Sequence, residues 1–305
     1  MLNIDTTRGP VTETRQIIYR TKGHRHGPIT RLMSPGDLGE LLKPFVFLDL
    51  FESSVETRAP FAIHPHSGLA TFTTLLSGST LYADSTGKAG LLAAGDVEWM
   101  RAGGGVWHGG VGLPNGPIRG FQLWVALPPE LELAPALSQY VKGEDVPDDG
   151  SVRVLLGSYQ GRQSPVEAPS DMTYLHVRLA DGQRWLYQPE RGHTVAWTAV
   201  CRGGVMIGET RIGREIAVFE EGDAAIEFTA HGDAEFVVGS AAKHPYPLVT
   251  GMYSVHTGPD ALFRGEAGIK RVAKTMELTP GGMVTPELVR RMGGQTEPRQ
   301  LPAGT

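Results

Sequence analysis

The sequence has little of three features that would place it in common protein classes. Its single cysteine, Cys201, permits no disulfide within the chain, which fits a reducing compartment. Its 28 Lys and Arg are outnumbered by 33 Asp and Glu, so bulk charge does not attract nucleic acid. No apolar run approaches the roughly 20 residues that cross a bilayer, and no secretory signal pattern is present. We therefore expect a soluble, cytoplasmic protein without direct nucleic-acid or membrane binding.

Turn-forming residues, by contrast, are abundant and spread along the chain. The 305 residues include 40 Gly and 22 Pro, which is typical of many short strands. Segments rich in β-branched and aromatic residues predict strands at Ala70–Leu76, Gly120–Leu127 and Glu235–Gly239. Helical patterns are few, one near Ala134–Val141 and one from Pro259 to about Lys274. The predicted fold class is all-β with a short C-terminal helix.

A weak internal repeat indicates two copies of one β-unit. "LLSG" ending at Gly78 recurs as "AVCRG" ending at Gly203, 125 residues later. "AAGD" ending at Asp96 recurs as "EEGD" ending at Asp223, 127 residues later. A chain of this length suits two domains.

The boundary between the two domains is expected in the Pro-rich, acidic segment 127–150. We place the domains at residues 1–140 and 141–305, with the C-terminal helix and tail in the second.

A basic stretch near the N-terminus, with Arg15 at its start and Arg31 at its end, is interpreted as a solvated strand and turn. Cys201 has no evident activating base and is expected to be a small core residue.

Three histidines form the candidate site. His64 and His66 in "FAIHPHSG" are two residues apart, so in a strand their side chains share one face. His108 follows in the glycine-rich "RAGGGVWHGG", and a return strand could bring it beside the pair. Three neutral imidazoles suit a late first-row divalent metal and leave coordination positions open. An isolated HxH pair is also common on surfaces, which is our interpretation of His24 and His26.

The surrounding motifs resemble the pirins, a branch of the cupin superfamily. The similar segments are "HPHSGLATFTTLLSG", "GDVEWMRAGGGVWHGG", "FQLWVALP", "LKPFVFLDLFE" and "PYPLVTGMYSVHT". The resemblance covers about residues 15–275. The resemblance implies two tandem cupin β-barrels, a bicupin, with a metal site in the N-terminal barrel only.

The resemblance also implies a ligand set, from which this chain departs. Pirins hold iron with the two histidines of HPH, the later histidine and a glutamate two residues after it. His64, His66 and His108 match the histidines, but Gly110 stands at the glutamate position, and Ala70 stands where many cupins have a carboxylate. The alternatives are a divalent metal, Fe(II) by resemblance, held by three histidines and water; Glu98 as a substitute ligand; or no bound metal.

No comparable site is expected in the second copy. Counting from Gly203 places Arg191 at the position of His66, and counting from Gly222 places Glu235 at that of His108. His193 is interpreted as a hydrogen-bonded residue near the barrel mouth. The tryptophans near the motifs are expected to pack the barrel, or to line a pocket for an aromatic substrate; they are Trp99, Trp107 and Trp124.

By resemblance, the chain is a candidate metal-dependent oxygenase of the quercetin 2,3-dioxygenase type, acting on a small aromatic diol. Loss of the family glutamate weakens that hypothesis. The alternatives are a non-catalytic, iron-dependent regulatory protein with a protein partner, and a metal-free barrel that binds a small ligand.

Overall fold

The computed structural model describes residues 15–54, 60–113, 116–167, 169 and 171–297. Twelve strands and a short helix lie before residue 142 in the described chain: β1 (Ile17–Thr21), β2 (His24–His26), β3 (Ile29–Met33), α1 (Leu38–Leu42), β4 (Phe45–Ser53), β5 (Pro60–His66), β6 (Leu69–Ser77), β7 (Ser79–Asp84), β8 (Ala89–Ala93), β9 (Val97–Arg101), β10 (Val106–Gly112), β11 (Ile118–Ala126) and β12 (Leu137–Val141). After a 3₁₀ turn at Gly143–Asp145, the described residues form β13 (Val152–Leu156), β14 (Ser158–Tyr159), β15 (Arg162–Gln163), β16 (Met172–Leu179), β17 (Arg184–Tyr187), β18 (Val195–Arg202), β19 (Val205–Ile207), β20 (Thr210–Ile212), β21 (Ile216–Phe219), β22 (Ile226–Ala230), β23 (Ala234–Ala241), β24 (Val249–Thr250), β25 (Val255–His256), α2 (Pro259–Val272) and α3 (Pro286–Arg291). The predicted all-β class is confirmed, as are the three strands and the helix from Pro259.

Two barrels of the same design follow each other along the chain. The first combines a seven-stranded sheet, β12-β9-β6-β11-β4-β3-β2, with a four-stranded sheet, β5-β10-β7-β8. The second combines a six-stranded sheet, β1-β21-β18-β23-β16-β13, with a four-stranded sheet, β17-β22-β19-β20. Read in parallel, these orders match except that β2 has no counterpart in the six-stranded sheet, so β5, β6, β10 and β11 correspond to β17, β18, β22 and β23.

This correspondence confirms one repeat match and corrects the other. Gly78 turns the chain from β6 to β7, and Gly203 turns it from β18 to β19, both with positive φ. The pair ending at Asp96 and Asp223 is a coincidence, since Asp96 precedes β9 whereas Asp223 follows β21, the equivalent of β9.

The predicted division between residues 140 and 141 stays a prediction, but segments of each half lie against the other half. β1 pairs with β21 in the second barrel, whereas α2 and α3 pack against β10, β7 and β8 of the first. The largest core cluster also spans both halves, for instance where the Phe72 and Tyr174 rings lie 5.6 Å apart. Cys201 is buried in this core, as predicted.

One local prediction is wrong, and another holds only in part. The helix expected near Ala134–Val141 is the strand β12, because its backbone completes the edge of the first large sheet by pairing with β9. The basic stretch is solvated at Arg20, Lys22 and Arg25, as predicted. Arg15 is instead buried, with Nε donating to the Glu220 carbonyl at 2.9 Å and Nη2 to that of Thr194 at 2.6 Å. No helix in the described part of the chain is long and apolar enough to cross a membrane. Cytoplasmic localisation stays a prediction.

Candidate metal centre

The three predicted histidines converge in the first barrel. His64 and His66 lie on β5, and His108 lies directly opposite His64 on the neighbouring strand β10. One ring nitrogen of each lies within 4.8 Å of the others. Antiparallel pairing of the glycine-rich strand β10 with β5, across four intervening strands of the chain, therefore brings His108 beside the HxH pair. Metal binding by these residues remains a proposal, argued below.

Each imidazole is oriented by an acceptor at its Nδ1. His64 Nδ1 lies 2.8 Å from the Ala62 carbonyl, and His66 Nδ1 lies 3.0 Å from the Tyr253 carbonyl. His108 Nδ1 lies 3.4 Å from the Glu98 carboxylate. Because carbonyl and carboxylate oxygens only accept, each Nδ1 carries a proton, and in a neutral ring the Nε2 atom then carries a lone pair.

One nitrogen of each imidazole therefore faces a common point. The Nε2 atoms of His64 and His108 lie 3.2 Å apart, and the buried Nε2 of His66 has no partner among the described residues. Burial, with the neighbouring imidazoles, lowers the pKa of His64 to about 4 and that of His66 well below its usual value. The neutral imidazoles of His64 and His66 and the neighbouring ring of His108 direct nitrogen atoms toward one point, so the residues present suit a divalent metal that accepts nitrogen ligands.

Glu98 lies behind His108 rather than among the converging nitrogens. Its carboxylate accepts from Thr73 Oγ1 at 2.7 Å and from the Tyr140 hydroxyl at 3.3 Å, besides contacting His108 Nδ1. Burial pushes the pKa of Glu98 upward, but its bond and charge interaction with His108, together with Thr73 and Tyr140, outweigh burial and hold that pKa below its usual value. The ionised Glu98 thus orients His108 from its Nδ1 side, away from the converging nitrogens, and the geometry does not support its role as a substitute ligand.

Gly110 leaves space where the family glutamate was expected. It lies with His64, His108 and Glu98 in the lining of an inner cavity of about 50 Å³. Ala70 is buried in the core and offers no ligand atom. The negative charge near the site comes from Glu98, behind His108.

A second cavity, of about 200 Å³, lies beside Trp124 and the chain between β24 and β25. Trp124 stacks on Phe47 at 3.9 Å between ring centroids, and its edge meets the His66 ring at 4.9 Å. The Arg31 guanidinium covers the Phe47 ring at 3.9 Å and pairs with Asp49. Of the three tryptophans considered, Trp124 thus lines a pocket near the histidines.

Aromatic residues occupy the equivalent positions of the second barrel. β17 and β22 pair at the same ends as β5 and β10, with Tyr187 opposite Ile226 where His66 is opposite Val106. His64, His66 and His108 then correspond to Trp185, Tyr187 and Phe228, and the Trp185 ring packs 5.5 Å from Tyr187 and 5.3 Å from Phe228.

The equivalences predicted for Arg191 and Glu235 are therefore wrong. Arg191 lies beyond β17, and Glu235 lies on β23, where it bonds His176 Nε2 at 3.1 Å. His193 is buried and hydrogen-bonded, as predicted, at 2.9 Å from Ser240 Oγ and 3.0 Å from Asp171 Oδ1. His24 and His26 are exposed, as predicted.

The second half of the chain also contributes to this site, which the sequence does not predict. The Tyr253 carbonyl orients His66 from 187 residues away, and the Tyr253 ring lies 5.8 Å from that of His64. The segment "PYPLVTGMYSVHT" supported the family resemblance, but no local pattern places it against the HxH strand.

Comparisons with known proteins agree with this fold. The model of the family described as Pirin matches residues 28–125. The chain is 32% identical over 262 residues to a Pseudomonas aeruginosa protein named "Putative quercetin 2,3-dioxygenase", covering 77% of this chain and 90% of that protein. Among solved structures, a quercetin 2,3-dioxygenase from Acinetobacter baumannii has a TM-score of 0.76 at 24% identity, covering 87% of this chain and 99% of its own. A bacterial pirin from Escherichia coli in complex with nickel(II) has a TM-score of 0.60 at 18% identity, covering 75% and 98%. The chain therefore belongs to the pirin family of the cupin superfamily.

Proposed function

We propose that this protein is a metal-dependent bicupin oxygenase of the quercetin 2,3-dioxygenase type, acting on a small aromatic diol. The observation that carries the proposal is the convergence of three imidazole nitrogens, one of which, Nε2 of His66, is buried and has no partner among the described residues. Fe(II) is the proposed metal by family resemblance, and Ni(II) is supported by the E. coli pirin named above.

Each residue of the site has a separate role in this proposal. His64, His66 and His108 hold the ion, which would supply Lewis-acid and redox chemistry. Glu98 keeps the Nδ1 proton on His108 and, since it lines the inner cavity in its ionised form, offers an acceptor for a substrate hydroxyl proton. Trp124 and Phe47 form an aromatic wall beside His66, suited to a planar substrate.

The size of the inner cavity favours a second candidate function. Its volume of about 50 Å³ is well below the ~150 Å³ of a cavity that holds benzene, so an aromatic ring does not fit there without movement. A metal-dependent binding or regulatory protein needs no such space. This alternative is also favoured by the lack of a carboxylate at Gly110.

Metal analysis and turnover separate the candidates. Tag-free protein is reconstituted anaerobically with Fe(II) or Ni(II), its metal content is measured, and aerobic loss of quercetin with release of carbon monoxide is followed. The oxygenase proposal expects near-stoichiometric metal and turnover, both lost in His64→Ala and kept in His24→Ala, which alters the exposed HxH pair. Metal without turnover supports the regulatory candidate. Absence of metal after reconstitution refutes both and leaves a metal-free, ligand-binding barrel.

A further inference from the structure

Three buried polar side chains connect the end of β5 with the second half of the chain. Ser67 directly follows His66, and its Oγ lies 2.8 Å from Ser254 Oγ and 3.0 Å from His256 Nε2. His256 Nδ1 lies 3.1 Å from Glu132 Oε2. Ser67, His256 and Glu132 are 0%, 1% and 4% exposed. We call these three residues the Ser–His–Glu chain.

The Ser–His–Glu chain has the order of a hydrolytic triad but no room for a substrate. A Cβ placed on Gly265 of α2 would lie 2.6 Å from Ser67 Oγ and would collide with the His256 ring. The helix backbone therefore closes over the hydroxyl that an acyl group would have to reach. The Ser–His–Glu chain therefore serves to hold other segments in place.

The Ser–His–Glu chain fastens residues 253–257 against the strand that carries the HxH pair. Glu132 also accepts from the Thr257 backbone N–H at 2.7 Å and from its hydroxyl at 2.8 Å. The Val255 N–H donates to the Ser67 carbonyl at 3.2 Å. Gly68, with φ of +75°, permits this approach, because a Cβ there would collide with the Val255 carbonyl oxygen.

This docking fixes one metal-site histidine from outside its own barrel. The acceptors for His64 and His108 come from the first barrel, Ala62 and Glu98. His66 instead faces the carbonyl of Tyr253, two residues before the Val255 that pairs with Ser67. If residues 253–257 shift, His66 loses the acceptor that keeps its proton on Nδ1.

We propose that His256 and Glu132 are positioning residues for His66. By holding the Tyr253 carbonyl in place, they keep the His66 tautomer whose Nε2 faces His64 and His108. The inference deepens the proposed metal site and rests on it for its functional meaning. It also gives the second half of the chain a task in a site whose three histidines all lie in the first.

The first test needs no metal. Long-range ¹H–¹⁵N correlation spectra of the metal-free, full-length protein report the tautomer of each histidine ring. Wild type is expected to show His66 with the proton on Nδ1, and His256→Ala to show a mixture of tautomers. His193→Ala is the matched control, since it removes an equally buried imidazole, 3.0 Å from a carboxylate, from the second barrel. His256→Gln, which keeps a polar side chain, should partly restore the wild-type tautomer.

The second test is an anaerobic Ni(II) titration of the same variants. The Kd should rise about 10- to 100-fold in His256→Ala, the usual effect of losing a residue that supports a metal ligand, and stay unchanged in His193→Ala. If His256→Ala does not fold, Glu132→Gln and Ser67→Ala carry the same expectations. An unaltered His66 tautomer and Kd in the folded variants would overturn the inference. Failure of wild type to bind any metal would refute the proposed function, while the tautomer measurement would still decide the positioning role.

Discussion

Replacing Glu98 by Gln isolates the only carboxylate that contacts the histidine cluster in the described structure. The substitution keeps the size of the side chain and its capacity to bond Thr73 and Tyr140, but it removes the negative charge 3.4 Å from His108 Nδ1. Because the pKa of Glu98 is held below its usual value, the wild-type residue is ionised throughout the neutral range. The variant therefore differs from wild type by one charge.

The expected effect is on metal affinity. A carboxylate that accepts from a ligand histidine raises the basicity of that ligand, and its loss typically weakens metal binding about 10- to 100-fold. That range corresponds to ~1.4–2.7 kcal/mol. In this chain we expect the upper part of the range, since Glu98 is buried and Gly110 supplies no carboxylate that could compensate.

Competitive titration of Ni(II) or Fe(II) against a chelator measures this effect, with anaerobic handling for Fe(II). Glu235→Gln is the matched control, because Glu235 is equally buried and bonds His176 at 3.1 Å, but in the second half of the chain. We expect its metal affinity to equal that of wild type. Equal affinities in Glu98→Gln and Glu235→Gln would refute the assignment of Glu98 as the support of His108.

Two further predictions concern Gly110 and His244. Gly110→Glu should tighten metal binding at least about tenfold, or ~1.4 kcal/mol, relative to the uncharged Gly110→Gln. A Cβ at this position would lie 3.2 Å from the Leu81 carbonyl, so the neighbouring atoms need to move only slightly. Equal metal affinities of the two variants in a chelator competition would contradict this prediction. Burial, together with the charge of Lys43, lowers the pKa of His244 to about 4 in the folded state. Between pH 6.5 and 4 the unfolded state therefore binds more protons than the folded state, and the free energy of unfolding falls as the pH falls. Urea unfolding should show that the free energy of unfolding decreases less between pH 6.5 and 4 in His244→Gln than in wild type. Parallel dependences on pH in the two proteins would contradict this prediction.

Counting along the sequence failed where insertions differ between the two barrels. The match ending at Gly78 and Gly203 holds because both glycines make the same tight turn with positive φ. The match ending at Asp96 and Asp223 does not hold, and counting from it assigned Glu235 of β23 as the equivalent of His108, which lies on β10. Strand pairing corrected it, since hydrogen-bonded neighbours identify Trp185 and Phe228 as the equivalents of His64 and His108 whatever the loop lengths.

The sequence by itself determined the fold class and the three histidines of the candidate site. Period-two spacing puts His64 and His66 on one face, and the turn residues predict short strands, because both follow from local backbone geometry. Only the tertiary structure decided which nitrogen of each imidazole faces an acceptor, and that this acceptor is the Tyr253 carbonyl for His66. It also decided that Glu98 lies behind His108 rather than among the converging nitrogens. These depend on groups brought together from distant parts of the chain, and burial fixes their protonation and partners. For the same reason Arg15, which the sequence indicated as solvated, is buried against the carbonyls of Thr194 and Glu220.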